Sequence, residues 1–137
     1  MTDEQHFENG LAMLKSMVGQ TEAEQIRQGW RELSPDLERF ILGFVAGQIW
    51  TRSTLDLKTR SLCTIAVLTA LGRTSGLELN VRMALGNGAT KEEILEVILH
   101  TAPYAGFPAT WDGMKIASRV LHEGGEGTTK EVSHGLR

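Results

Sequence analysis

The chain has a single cysteine, Cys63, in 137 residues. No intrachain disulfide can form, and without a C-x-x-C there is no dithiol redox site. Positive charge is also scarce: 14 Lys and Arg stand against 17 Asp and Glu, for a formal charge of −3 and a pI near 5.8. That balance offers nucleic acid no global basic field. Aromatic residues make up 6% of the chain, although three are tryptophans, Trp30, Trp50 and Trp111. No apolar run approaches the roughly 20 residues of a membrane span, and no charged-then-apolar leader opens the chain. Neither G-x-G-x-x-G nor a phosphate-cradling P-loop occurs. The histidines, at 6, 100, 122 and 134, include no pair three or four apart, so a local zinc motif is missing. His100 reads as a structural residue near the negative end of its helix. Alternating apolar and polar residues are nowhere long enough to suggest a strand. The expectation is an all-α, soluble, cytoplasmic domain with no metal, no nucleic-acid partner and no membrane partner. A chain of this length can bury about two thirds of its unfolded surface.

What is present is helical periodicity with clear punctuation. Over residues 4–18, Phe7, Leu11, Leu14 and Val18 line one helical face, with Gly19 as the stop. Thr21-x-x-Glu24 predicts a capping box and a short helix through Trp30. Ser34-Pro35-Asp36 is another start: a hydroxyl cap, a first-turn proline and an acid at the positive helix end. The helix from Asp36 to about Trp50 is expected to bury Leu37, Phe40, Ile41, Phe44 and Val45. Three residues further the stripe reaches Gln48, whose amide either finds buried partners or escapes to solvent.

After the polar linker Thr51–Asp56, the helix from Leu57 to Leu71 is apolar on so many sides that neighbours, other subunits included, are expected to cover it. Arg60 shares a side with Thr64, Val67 and Leu71, and either meets an anion or snorkels to water. Cys63 reads as a small core residue or, alternatively, a reactive thiol. The helix from Gly76 to Leu85 carries Leu77, Val81, Ala84 and Leu85, with Asn80 on the same stripe, Arg82 opposite and Asn87-Gly88 as its stop. Thr90-x-x-Glu93 is a second capping box, for a helix through Ala102 that buries Ile94, Leu95, Ile98 and Leu99. Pro103 ends it, a corner spans 104–108, and a last helix runs from Ala109 to about Leu121. One domain over 1–122 is expected, then a mobile glycine-rich tail over 123–137.

Three stretches are more specific: G-x-I-W-x-R at 47–52, L-x-x-x-T-R-S-L-x-T at 55–64 and Y-A-G-x-P at 104–108. With the intervening order of residues, the chain from about Phe7 to Leu121 resembles the carboxymuconolactone decarboxylase family, in the wider group that includes alkylhydroperoxidase D. The resemblance implies an all-α, alkylhydroperoxidase D-like helical bundle that assembles as a homo-oligomer, commonly a trimer of dimers. It also implies chemistry with neither cofactor nor metal: a γ-carboxylated unsaturated lactone loses CO₂ to give an enol-lactone, in aromatic-acid breakdown. The missing C-x-x-C separates this chain from the peroxidase branch.

The chain departs from the family's pattern at three positions. Where the decarboxylases read E-L-x-x-H-V-R, this sequence has Gly76, Leu77, Asn80, Val81 and Arg82; where they read G-E-I-W, it has Gln48. Loss of CO₂ leaves a carbanion that must be delocalised and then protonated. His and Glu can shuttle that proton, whereas Asn and Gln can only donate hydrogen bonds to an oxyanion. The resemblance therefore implies an altered, amide-lined site for a small cyclic or aromatic-derived carboxylate or lactone. Asn80 and Gln48 would orient a carbonyl or stabilise an enolate, and Tyr104 or water would supply a proton. Arg52 or Arg60 would hold the anionic group, Trp50, Trp111 and Tyr104 would form walls, and Cys63 and Thr64 would line the cavity. The alternative is a non-catalytic small-molecule-binding or structural oligomer of the same fold.

Overall fold

The computed structural model describes residues 1–128, which are helical throughout apart from their connections and contain no strand. They form two compact units that meet in sequence between Arg60 and Ser61. The tail expected from residue 123 lies, from residue 129 on, outside the described residues.

In the first unit α1 (Asp3–Val18) begins at a reciprocal cap: the Gln5 N–H donates to Thr2 Oγ1 at 3.1 Å, and the Thr2 N–H to Gln5 Oε1 at 2.7 Å. Gly19, at φ +92°, turns the chain into α2 (Gln20–Leu33). The Thr21 capping box does not form, because the helix has already started one residue earlier with Gly19 as its cap. Glu24 instead takes Lys15 at 3.8 Å and Arg27 at 3.4 Å. Ser34 caps α3 (Pro35–Phe40) as its sequence predicts, with Pro35 in the first turn.

After Phe40 the helix changes kind. Over Ile41–Ile49 it is a π-helix, and the Trp50 N–H closes it on the Val45 carbonyl five residues back, at 3.0 Å. Each turn takes about one residue more than in an α-helix, so the inward face moves off the 3.6-residue stripe. Glu38, Leu42, Ala46, Gly47 and Trp50 are buried, while Phe40 and Phe44 stand 58% and 53% exposed. The expected stripe is thus corrected, and Gln48 lies at the surface with its amide nitrogen 3.3 Å from the Gly43 carbonyl.

Two glycines set how closely α1 and the π-helix approach. A Cβ on Gly10 would run into the Leu42 carbonyl oxygen, and one on Gly47 into the His6 carbonyl oxygen. Backbone therefore rests on backbone, and Leu14, Ala23, Leu42 and Ala46 close the core around the crossing. Buried Glu38 is neutralised from α2: Arg27 Nε reaches one carboxylate oxygen at 2.8 Å, and Arg31 bridges both oxygens at 2.8 and 3.2 Å. Burial alone would raise the Glu38 pKa, but hydrogen bonds from Arg31 and Arg27 and their charges outweigh it and hold the carboxyl below its ordinary range.

α4 (Leu57–Leu71) keeps its predicted bounds. It opens on Asp56, whose Oδ1 accepts the Thr59 N–H at 2.7 Å, an N-cap that also lowers the Asp56 pKa. In the second unit one face of α4 is fully buried, and it carries Ser61, Ile65 and Thr69, with Leu62 and Leu68 partly covered beside it. The expectation of cover on most sides is corrected within the chain: Val67 and Leu71 are 53% and 62% exposed, and Cys63 is exposed.

α5 (Thr74–Gly86), α6 (Lys91–His100), the single turn α7 (Ala102–Ala105) and α8 (Phe107–Thr128) complete the described chain. Gly88, at φ +94°, makes the turn after α5, and Thr90 with Glu93 forms the predicted capping box of α6. Gly106, at φ +95°, makes the corner before α8, which runs past the expected end near Leu121. The core is Ile65, Leu77, Val81, Ala84, Ile94, Ile98, Ala117, Val120 and Leu121. Leu99, expected inside, is 49% exposed. Gly113 of α8 lets that helix close on Thr69 and Ile98; a Cβ there would sit 2.8 Å from the Thr69 methyl. Arg119 and Glu78 tie α8 to α5 at 2.6 Å.

Candidate functional site

The residues singled out from the sequence divide between the two units. Gln48, Trp50, Arg52 and Arg60 belong to the first, and Cys63, Thr64, Asn80, Tyr104 and Trp111 to the second.

In the first unit Trp50 is 7% exposed, at the C-terminal end of the π-helix. Arg60 is half-buried, and one of its terminal nitrogens donates to the Arg52 carbonyl at 3.2 Å. This bond closes residues 53–59, the end of the linker and the first turn of α4, into a loop and joins the last residue of G-x-I-W-x-R to the arginine of T-R-S-L. Thr51 adds a second tie, its hydroxyl donating to the Gly47 carbonyl at 2.8 Å.

Gln48 opens onto a cavity of about 300 Å³, built from the start of α1 and from α3 with the π-helix. Asp3 and His6 contribute from α1, Arg39 and Phe40 from α3, and Gly43, Phe44 and Gln48 from the π-helix. Arg39 is held in place by Asp36 Oδ1 at 2.7 Å and lies over the Phe40 ring, 4.5 Å from its centroid. His6 Nδ1 is buried and has no hydrogen-bond partner. Reading by motif missed this cavity, because His6 and Arg39 stand 33 positions apart (39 − 6) and no local spacing links them. The π-helix brings Gln48 to the cavity; 3.6-residue periodicity carried it toward the core instead.

In the second unit the half-buried Asn80 donates its side-chain N–H to the Gly76 carbonyl one turn earlier, at 2.8 Å. Gly76 itself has room: an added Cβ would meet Leu68 at 3.5 Å, an ordinary contact. Asn87 reaches Ser61 Oγ at 2.9 Å and fixes the end of α5 to the start of this unit's share of α4. Thr64 is half-buried. Tyr104 is 79% exposed, with its ring 5.5 Å from that of His100, and Trp111 is 69% exposed beneath Lys115. Beside them Thr101 and Thr110 form a buried hydroxyl pair at 2.8 Å, which anchors the Y-A-G-x-P corner to α8. Among the described residues no group of three or more His, Cys, Asp or Glu side chains could hold a metal ion. None of the described helices is long and apolar enough to cross a membrane.

The all-α architecture and the ordered motifs at 47–52, 55–64 and 104–108 define a class, and the comparisons agree with it. The sequence profile of the carboxymuconolactone decarboxylase family matches residues 35–119, more than half of the chain. The chain belongs to that family. It is 38% identical over 123 residues to the 4-carboxymuconolactone decarboxylase of Acinetobacter baylyi, covering 90% of this chain and 92% of that one. It is 30% identical over 126 residues to the nitrosuccinic acid decarboxylase npaB of Metarhizium robertsii, covering 88% and 87%. It is also 33% identical over 122 residues to an uncharacterized 15.0 kDa protein of Paracoccus denitrificans, covering 88% and 90%.

Proposed function

We propose that this protein is a cofactor-independent, decarboxylase-like enzyme acting on a small cyclic or aromatic-derived carboxylate or lactone through an amide-lined site. One observation carries the proposal: two relatives aligned over nearly the whole chain are both named for removing CO₂ from a small acid, although the acids differ. The shared chemical problem is a carbanion conjugated with an oxygen-bearing acceptor, a lactone carbonyl in one case and a nitro group in the other. Hydrogen-bond donors aimed at those oxygens stabilise the charge, and Asn80 and Gln48 are residues of that kind. Arg52 or Arg60, with Trp50, is the first unit's candidate for holding the carboxylate, and Cys63, Thr64, Tyr104 and Trp111 are the second unit's candidates for lining a substrate site. The same scaffold suits a related isomerisation or cyclisation of such a substrate. The working form is a cytoplasmic homo-oligomer, a trimer of dimers, in which apolar side chains such as Val67, Leu71, Phe107 and Trp111 meet other subunits.

A second reading, a binding or structural oligomer without turnover, is favoured by the Asn80 hydrogen bond to Gly76, which occupies the amide in its own helix. Release of CO₂ from a panel of small unsaturated, lactone and nitro acids separates the two. Turnover that falls when Asn80 becomes Ala supports the enzyme. Saturable binding of the same acids with no product establishes the other reading.

A further inference from the structure

Each unit carries an exposed aromatic surface edged by charge. In the first unit Phe40 and Phe44 stand four residues apart along the cavity beneath Gln48, and each is more than half exposed. In the second unit Phe107 and Trp111 stand four apart on α8, so they share a face, and both are mostly exposed. Tyr104, just before the Gly106 turn, is exposed as well. Aromatic side chains bury roughly 150–250 Å² each, so this corner offers about 400 Å² of exposed ring surface. A patch of that size on one chain often marks an interaction site. It is also about half of the roughly 800 Å² that each partner gives to a stable interface.

The charges match too. One acid and one base edge the cavity, Asp3 and Arg39. A guanidinium carries five N–H donors, so the bond from Arg39 to Asp36 does not exhaust it. The corner has the same combination beside Trp111: Asp112 and Lys115, both with side chains more than half exposed. Crossed pairing, Arg39 with Asp112 and Asp3 with Lys115, sets opposite charges around an apolar centre, as specific interfaces do. The cavity and the corner are different surfaces of one chain, and complementary surfaces of that kind pair head to tail between identical copies.

We infer that the aromatic corner of one copy docks on the Gln48 cavity of the next. The partner's Phe107 and Trp111 lie against Phe40 and Phe44, which removes all four rings from water. The contact is heterologous, and it closes into a ring where the rotation between copies allows. It also sets the partner's Tyr104 and Trp111 beside Gln48, three residues of the proposed substrate site. Only that last step rests on the decarboxylase-like reading, and in it two copies build one site. The carboxylate stays with Arg52 or Arg60 of the copy that supplies Gln48.

The test uses the full chain with Cys63→Ser, so that an introduced thiol is the only one. Gln48→Cys and Lys115→Cys are made separately with different affinity tags, mixed, and treated with a short bismaleimide. The mixture should give a cross-linked dimer carrying both tags, and neither variant alone should give one. Charge reversal supplies a second measurement. Arg39→Asp and Asp112→Arg should each raise the concentration at which the complex half-dissociates by about tenfold or more, because like charges then face each other. The double variant should recover most of that loss, with helix content by circular dichroism unchanged throughout. A dimer from Lys115→Cys alone, a link within one chain when both cysteines share it, or losses that simply add in the double variant would overturn the contact.

The shared site has its own test. When Gln48→Ala and Tyr104→Phe chains are mixed, about a quarter of the sites carry both native residues if neighbouring copies build them. CO₂ release should then return to about a quarter of the parent's, and no recovery removes the shared site. The two proposals also fail separately. The mixed cross-link in a protein that releases CO₂ from no acid defeats the enzyme reading and leaves the contact. CO₂ release without the mixed cross-link keeps that reading and removes the contact.

Discussion

Gly10 gives the sharpest test of how the first unit is built. In an exposed helix, replacing glycine with alanine stabilises by about 0.5–1 kcal/mol, through helix propensity alone. At Gly10 the added methyl would run into the Leu42 carbonyl oxygen, 2.6 Å from the Leu42 carbonyl carbon and 3.0 Å from the Gly47 nitrogen. These are backbone atoms, and no rotamer change moves them aside. α1 would have to lift from the π-helix, loosening Leu14 and Leu42, which are 2% and 0% exposed. Overpacking costs about 1–3 kcal/mol, and a backbone neighbour places this case at the upper end. Less the gain in propensity, the net loss is about 2 kcal/mol. Gly29, in the middle of α2, is the control, because nothing lies within 4 Å of its added Cβ. Gly29→Ala should therefore gain up to about 1 kcal/mol. In urea, with a slope of about 1–3 kcal/mol per molar, the two variants should move the unfolding midpoint in opposite directions, Gly10→Ala by about 1 M. A Gly10→Ala midpoint at or above the parent's would refute the close backbone crossing.

Other consequences follow from single contacts. Glu38 has a lowered folded-state pKa, so its contribution is complete above the unfolded carboxylate value near 4.3 and is lost as pH falls through the folded value. Glu38→Gln should cost about 2–3 kcal/mol at pH 7, less than a fully buried pair because Arg31 is 46% exposed, and the difference from the parent should shrink below pH 4 in a melting series. Thr69 Oγ1 is buried without a hydrogen-bond partner, so Thr69→Val should hold or raise stability by about 1 kcal/mol in urea unfolding, and a loss of that size would contradict the placement. Light scattering at micromolar concentration should report an oligomer, since Val67, Leu71, Leu99, Phe107 and Trp111 are each about half exposed or more; a monomer would remove the assembly proposal.

The sequence was legible where one residue type does one local job. Ser34 before Pro35, Thr90 with Glu93 and the bounds of Leu57–Leu71 all appear as their chemistry predicts. It was misleading where helix geometry changes. A 3.6-residue rule sends Phe40 and Phe44 inward, but the π-helix over 41–49 turns Leu42, Ala46 and Trp50 to the core instead. Nothing in ILGFVAGQI marks that change by itself; Gly43 and Gly47 permit it, and the contact of Gly47 with α1 becomes evident only once the two helices cross. The family motifs at 47–64 were plain, whereas the cavity beside them was not, because three of its seven lining residues, Asp3, His6 and Arg39, come from the start of α1 and from α3. α4 reads as buried from composition, yet its covered face within the chain is Ser61, Ile65 and Thr69. The apolar remainder is the surface that the proposed assembly would cover.

The amide-lined site is tested most directly by CO₂ release from 4-carboxymuconolactone, measured on the parent protein and on the double variant Gly76→Glu with Asn80→His. Positions 76 and 80 are one helical turn apart on α5, and the Asn80 amide already reaches the Gly76 carbonyl at 2.8 Å. A carboxylate at 76 can therefore orient an imidazole at 80, and the open contact at Gly76 leaves space for the new side chain's first carbon. The parent should show little or no turnover of this lactone. The double variant should release CO₂ at a measurable rate, with a pH dependence typical of an imidazole. Turnover by the parent at about 1–1000 per second, the ordinary enzymatic range, would contradict the account: amides at 48 and 80 would then not have replaced the proton chemistry of the site.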